Sequence, residues 1–163
     1  MGQRIVRSSG FEEGLAALIA ASFRFSDDTL KLKPLEEGRH LFVDELPEVE
    51  DVETTSPEFQ PDVEPTIGLY SRSGQGPLPT SSSGSRHEFQ VDILLRFGRS
   101  MSSTKRLLGQ LFDWLLKKAQ GKAAGDFRIR AVLSVQRPVP FQRFGDDHAV
   151  ASSSIRFLVV PIR

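Results

Sequence analysis

Apolar and polar residues alternate from Glu88 to Phe97. Phe89, Val91, Ile93, Leu95 and Phe97 fall on one side of an extended chain, and Glu88, Gln90, Asp92 and Arg96 on the other. A period of two predicts a half-buried strand, with one face in a core and one in water. After Gly98 and a run of small hydroxyl residues the period lengthens. Leu107, Leu108, Leu111, Phe112, Leu115 and Leu116 recur at helical spacing, which leaves Lys105, Arg106, Lys117 and Lys118 for the outer side. This helix is expected to end near Gly121. Gly125 and Asp126 then turn the chain into a second alternating run, Phe127, Ile129, Ala131, Leu133 and Val135, with Arg128 and Arg130 on its polar face. Pro138, Pro140 and the Gly145-Asp146-Asp147 turn read as a break before a last strand from Val150 to Ile162. There Ile155, Phe157 and Val159 alternate with Arg156.

Upstream, Ser9 and Glu12 have the spacing of a capping box, and Phe11, Leu15, Leu18, Ile19 and Phe23 fall along one helical stripe. A helix is expected from about Gly10 to Phe23. Ala16, Ala17, Ala20 and Ala21 form its other face, small residues that allow a neighbouring element to approach closely. Leu30, Leu32 and Leu35 suggest a short extended piece, and His40 to Val43 a brief strand. From Asp44 to Pro65 the acidic residues and prolines predict a long loop without regular structure. Thr66 to Tyr70 reads as a short strand, and the Gly, Ser and Pro residues from Ser71 to Ser85 as a second loop. Loops of this length in a compact domain usually carry function or contact a partner.

The expected class is therefore α+β: an antiparallel or mixed sheet of about four strands packed against two helices. At 163 residues the chain suits one domain (1–163), with loop insertions at about 44–65 and 71–86. Charge sharpens this picture. Lys and Arg total 21, as do Asp and Glu, so the balance points to neither a nucleic-acid coat nor an enzyme for acidic substrates. Its distribution is uneven. Asp44, Glu45, Glu48, Glu50, Asp51, Glu53, Glu58, Asp62 and Glu64 crowd between Leu41 and Ser71, a stretch without Lys or Arg. The remainder of the chain is correspondingly basic, and unlike patches on one subunit suit a head-to-tail contact between copies.

Catalytic chemistry has little support in the residues. The absence of cysteine excludes disulfides, zinc–thiolate sites and thiol catalysis. No Gly-x-Ser-x-Gly is present, and Gly74-Gln75-Gly76-Pro77 lacks the lysine and the helix that a phosphate loop needs. Asp146, Asp147 and His148 bring carboxylates and an imidazole together, which suits either a hard metal ion or an ordinary solvated turn; the turn is the simpler reading. Arg128, Arg130 and Arg156 suit a stripe along a phosphate backbone or a surface that meets a neighbour's carboxylates. Trp114 falls at the edge of the second helix, as core boundary or interface anchor. No apolar run approaches membrane-spanning length and the N-terminus lacks a signal-peptide core, so a soluble, unexported protein with no membrane partner is expected.

Three stretches carry a resemblance: the helix Phe11 to Ala20, the block Phe89 to Phe97 with the helix that ends Leu111 to Leu116, and the end block Ser154 to Ile162. In order and apolar pattern they resemble the tail terminator, or tail-completion, proteins of long-tailed bacteriophages. The resemblance covers most of the chain as layout. It implies a structural virion protein of the tail or neck, assembled in the host cytoplasm, that forms a hexameric ring and uses no enzyme chemistry and no cofactor. Such a ring ends polymerisation of the tail tube and joins it to the head-side connector. Its implied partners are further copies of the chain, the tail-tube protein and the connector, with DNA passing through the lumen without specific binding. The long loops exceed those of a minimal member, and related neck and head-completion proteins share this size and composition. Asp44, Glu45, Glu48, Glu50, Asp51, Glu53, Arg128, Arg130, Arg156 and Trp114 are the candidate inter-subunit or lumen surface. The residue-based alternatives are a nucleic-acid adaptor that uses the three arginines and a metalloenzyme centred on Asp146, Asp147 and His148.

Overall fold

The computed structural model describes residues 9–26, 34–71, 87–141 and 147–162. Among them the chain forms α1 (Ser9–Ser22), β1 (Leu41–Val43), α2 (Val49–Thr55), β2 (Thr66–Ser71) and β3 (His87–Arg96). There follow α3 (Met101–Lys118), β4 (Ala123–Ala124), β5 (Phe127–Phe141) and β6 (Val150–Pro161). The strands make one mixed sheet in the order β1-β2-β3-β6-β5-β4, curled into a half-barrel. β1 runs parallel to β2, and every other neighbouring pair is antiparallel.

The period-two residues of β3 face α1 and α3 as the alternation requires. Phe89, Val91, Ile93 and Leu95 are buried with Phe11, Leu15 and Ile19 of α1 and Leu107, Leu108, Leu111, Phe112 and Leu115 of α3. Phe11 stacks on Phe89 at 4.8 Å between ring centres, and Phe157 closes on it at 5.1 Å. Each such ring removes a large apolar surface from water, which is the principal term holding helix to sheet. α3 starts where Ser100 accepts the Ser103 N–H, and the Thr104 hydroxyl donates to the Phe97 and Ser100 carbonyls, so the strand-to-helix turn is fixed at both sides.

The sheet has six strands and the chain three helices among the described residues, more than the four and two expected. The acidic stretch contains α2, although its polarity and prolines predicted no regular element. Glu50 and Asp51 in its first turn suit the positive end of a helix, and Val52 is buried beneath it. Seven residues do not make a stable helix alone, so packing supplies what periodicity could not show. β5 continues through Pro138 and Pro140, which were expected to end it. Beyond the β4 hairpin β5 is an edge strand, where a residue without an N–H is tolerated, and three bulges absorb its irregular register. The expected capping box is also not formed by Glu12, whose carboxylate accepts from the Ser71 hydroxyl instead. The extended piece at Leu30 and Leu32, residues 72–86 of the second loop, and Gly145 and Asp146 lie outside the described residues.

The face of the sheet away from α1 and α3 is polar at its centre. Ser154 donates to Asp92 at 2.7 Å and accepts from Gln90, and Arg156 pairs with Glu88 at 2.8 Å. At one end of this face Leu46, Leu94 and Val150 form a small apolar patch flanked by Tyr70. The chain leaving β1 crosses over β2 here. A Cβ on Gly68 would lie 2.5 Å from the Glu45 carbonyl oxygen, so only glycine allows that crossing.

Candidate assembly surface

The acidic segment is fixed to the sheet at both ends. At its start Asp44 adopts a positive φ of 62°, a conformation aspartate tolerates, and its N–H donates to Leu69. Arg96, buried at the end of β3, donates to the Pro47 carbonyl and so binds the crossing to the sheet. At its end Glu64 is the hub. It receives a bidentate pair from Arg39 at 2.7 and 2.9 Å, a bond from His40 at 2.8 Å and the Gln60 N–H at 3.0 Å.

Burial opposes the charge on Glu64, but the bonds from Arg39, His40 and the Gln60 N–H outweigh it and bring its pKa down to about 2. His40 accepts the Glu36 N–H on Nδ1, so its proton sits on Nε2 and points at Glu64. Burial lowers the His40 pKa, which keeps the ring neutral in that role. Phe59 packs beside both Arg39 and His40 and shields the cluster. Sequence reading missed this latch because Glu64 lies 24 and 25 residues from its partners, with no motif to link them.

Between these anchors the carboxylates point outward. Asp44, Glu45, Glu48, Glu50, Asp51 and Glu53 are all exposed. Glu48, Glu50 and Glu53 border a small cleft of about 120 Å³ with Val49, Arg96, Asp147 and His148. His148 lies 3.9 Å from Asp62, and Asp147 uses its carbonyl to accept from Arg99. Asp146 is outside the described residues, and among those described no three His, Asp or Glu side chains converge as metal ligands would.

The predicted arginines are not one stripe. Arg128 is exposed and donates to the Gly121 carbonyl, and Arg130 is exposed at the bulge between Ile129 and Ala131. Arg156 lies on the polar face of the sheet, its side chain 40% exposed, and is paired with Glu88 and Gln90. A cation that sequence reading left out, Arg137, is exposed on β5 with its guanidinium 5.5 Å over Phe112. Trp114 is half-buried against the core, its ring 5.5 Å from Phe23.

The register places these groups relative to one another. Arg96 and Val150 are paired at the end of the sheet where the acidic segment crosses, whereas Arg128 pairs with Val160 at the opposite end. Ten paired residues of β3 separate the two ends, about 30 Å at the strand rise. β4 covers β5 only at Phe127 and Arg128, and the Lys122 and Gly121 backbone covers Ile129. From Arg130 onward no described strand lies outside β5, and Leu133 and Val135 are 45% and 41% exposed on it. No protein-family model matches the sequence, and no curated protein matches it.

Proposed function

We propose that the chain is a structural subunit of the tail or neck of a long-tailed bacteriophage, one that assembles as a ring, caps the tail tube and joins it to the head-side connector. The observation that carries this reading is the separation of charge on a rigid sheet. An anchored acidic segment crosses one end, and β5, with Arg128, Arg130 and Arg137 exposed and no strand beside it from Arg130 onward among the described residues, borders the side. Unlike patches at different places on one subunit favour head-to-tail contacts, and a head-to-tail contact whose rotation closes produces a ring. The layout of α1, β3, α3 and β6 is the layout on which the resemblance to tail terminators rests. Under this reading the activity is steric. One ring face fits the last turn of the tube and the other does not resemble a tube end, so growth stops.

The test is to polymerise a tail-tube protein with and without this chain and image the products by negative stain. Capped tubes with extra density at one end and arrested length support the reading. Tubes that carry no added density and continue to lengthen contradict it.

A further inference from the structure

The β5 edge from Arg130 to Arg137 combines three properties that a solvated edge strand rarely has together. Among the described residues no strand lies beside its backbone, Leu133 and Val135 stand in solvent, and Arg130 and Arg137 flank them. Simple addition of another strand is opposed by the edge itself. Register breaks at Ile129/Ala131, Ser134/Gln136 and Gln136/Val139, with Pro138 and Pro140, interrupt any long ladder. What the edge offers is therefore side chains on both sides of the sheet: Leu133 on the side of its register partner Arg156, and the Arg137 guanidinium over Phe112 on the helix side. The matching chemistry is a short rigid element with carboxylates around an apolar residue. The chain carries such an element in α2, where Glu50, Asp51 and Glu53 are exposed and Val49 is half-buried.

We infer that the β5 edge of one copy is the docking surface for the acidic segment of a second copy, Asp44 to Thr55 with α2 at its end, in a head-to-tail contact. α2 is held away from its own β5 edge, because β3 and β6 lie between the crossing at β2 and β5. The carboxylates meet the guanidinium groups of the neighbour at a rim, where such pairs set partner choice and association rate, and the exposed Leu133 and Val135 lose water along the same edge. The inference rests on the ring-forming reading above and names the surfaces that make the ring.

Charge reversal tests it with exposed positions only. One variant is Glu50→Lys with Glu53→Lys, the other Arg130→Glu with Arg137→Glu, and circular dichroism checks that both fold. By light scattering each variant alone is expected to fall to the 18.1 kDa subunit. Their equimolar mixture regains the wild-type mass, because each contact in an alternating assembly then joins opposite charges. Wild type that stays at 18.1 kDa at every concentration overturns the inference, as does either variant that assembles alone or a mixture that stays monomeric. Tubes capped by wild type while both variants self-associate unchanged would remove this contact and leave the capping. A restored mixture that leaves tubes uncapped would remove the capping and leave this contact.

Discussion

A Cβ placed on Gly14 would lie 2.0 Å from the backbone nitrogen of Gly125. Helix α1 and the β4–β5 turn therefore touch backbone to backbone, and Gly125, at a φ of +63°, is itself held 2.8 Å from the Gly10 carbonyl at its would-be Cβ. Gly14→Ala must push two backbones apart and is expected to cost about 3 kcal/mol. Urea denaturation followed by circular dichroism reads this. Gly109→Ala is the contrasting case, a helix-interior glycine with nothing within 4 Å of the place an alanine methyl would take, and should raise stability by about 0.5–1 kcal/mol.

The Glu64 latch predicts an acid-sensitive stability. Its carboxylate titrates at about 2 in the folded chain against an ordinary 4.5. A depressed folded pKa contributes stability that is complete above about 4.5 and is lost as pH falls toward 2, on the order of 3 kcal/mol in full. Unfolding free energies measured across this window should fall steeply in wild type. In Glu64→Gln the steep part should flatten, with lower stability already at pH 7.

Glu12 has the opposite sign. Burial raises its pKa, the Ser71 hydrogen bond opposes this, and Asp44 and Glu13 add to the increase. Because the folded state holds the proton more tightly, this group costs stability as pH rises from the unfolded value through the raised one. Glu12→Gln is therefore expected to stabilise the fold at pH 7 more than at pH 4. Equal effects at both pH values would remove burial of the charge as the cause.

Much of this was legible in the sequence, for reasons that name the exceptions. β3, α3 and α1 were readable because their apolar periods are long and each has one buried face, as Phe89 to Leu95 and Leu107 to Leu115 show. α2 was not, because a seven-residue helix with one buried valine has almost no period to detect. The length of β5 was hidden by Pro138 and Pro140, which punctuate a chain locally but are permitted on an edge strand, a property of topology alone. The four alanines of α1 pointed to a close approach, yet Gly14 makes it and Ala17 and Ala21 are exposed. Among the candidate surface residues the acidic group is exposed together, while Arg156 is paired with Glu88 on the polar face of the sheet, a pairing fixed by register between β3 and β6.

Gly68 tests whether the acidic segment needs its seat on the sheet. Gly68→Ala drives a methyl group to within 2.5 Å of the Glu45 carbonyl oxygen and should lift the crossing off β2. Proteolysis within Asp44 to Thr55 should accelerate at least severalfold while the helices keep their far-ultraviolet signal. Unchanged cleavage would mean that the crossing is held elsewhere.

The mass of the purified chain in solution, by light scattering over a concentration series at low and at high salt, bears most directly on the ring. Head-to-tail closure predicts a species near six times 18.1 kDa that stops growing with concentration and falls apart as salt screens the edge charges. A mass fixed at 18.1 kDa throughout, or one that climbs without a limit, would contradict it.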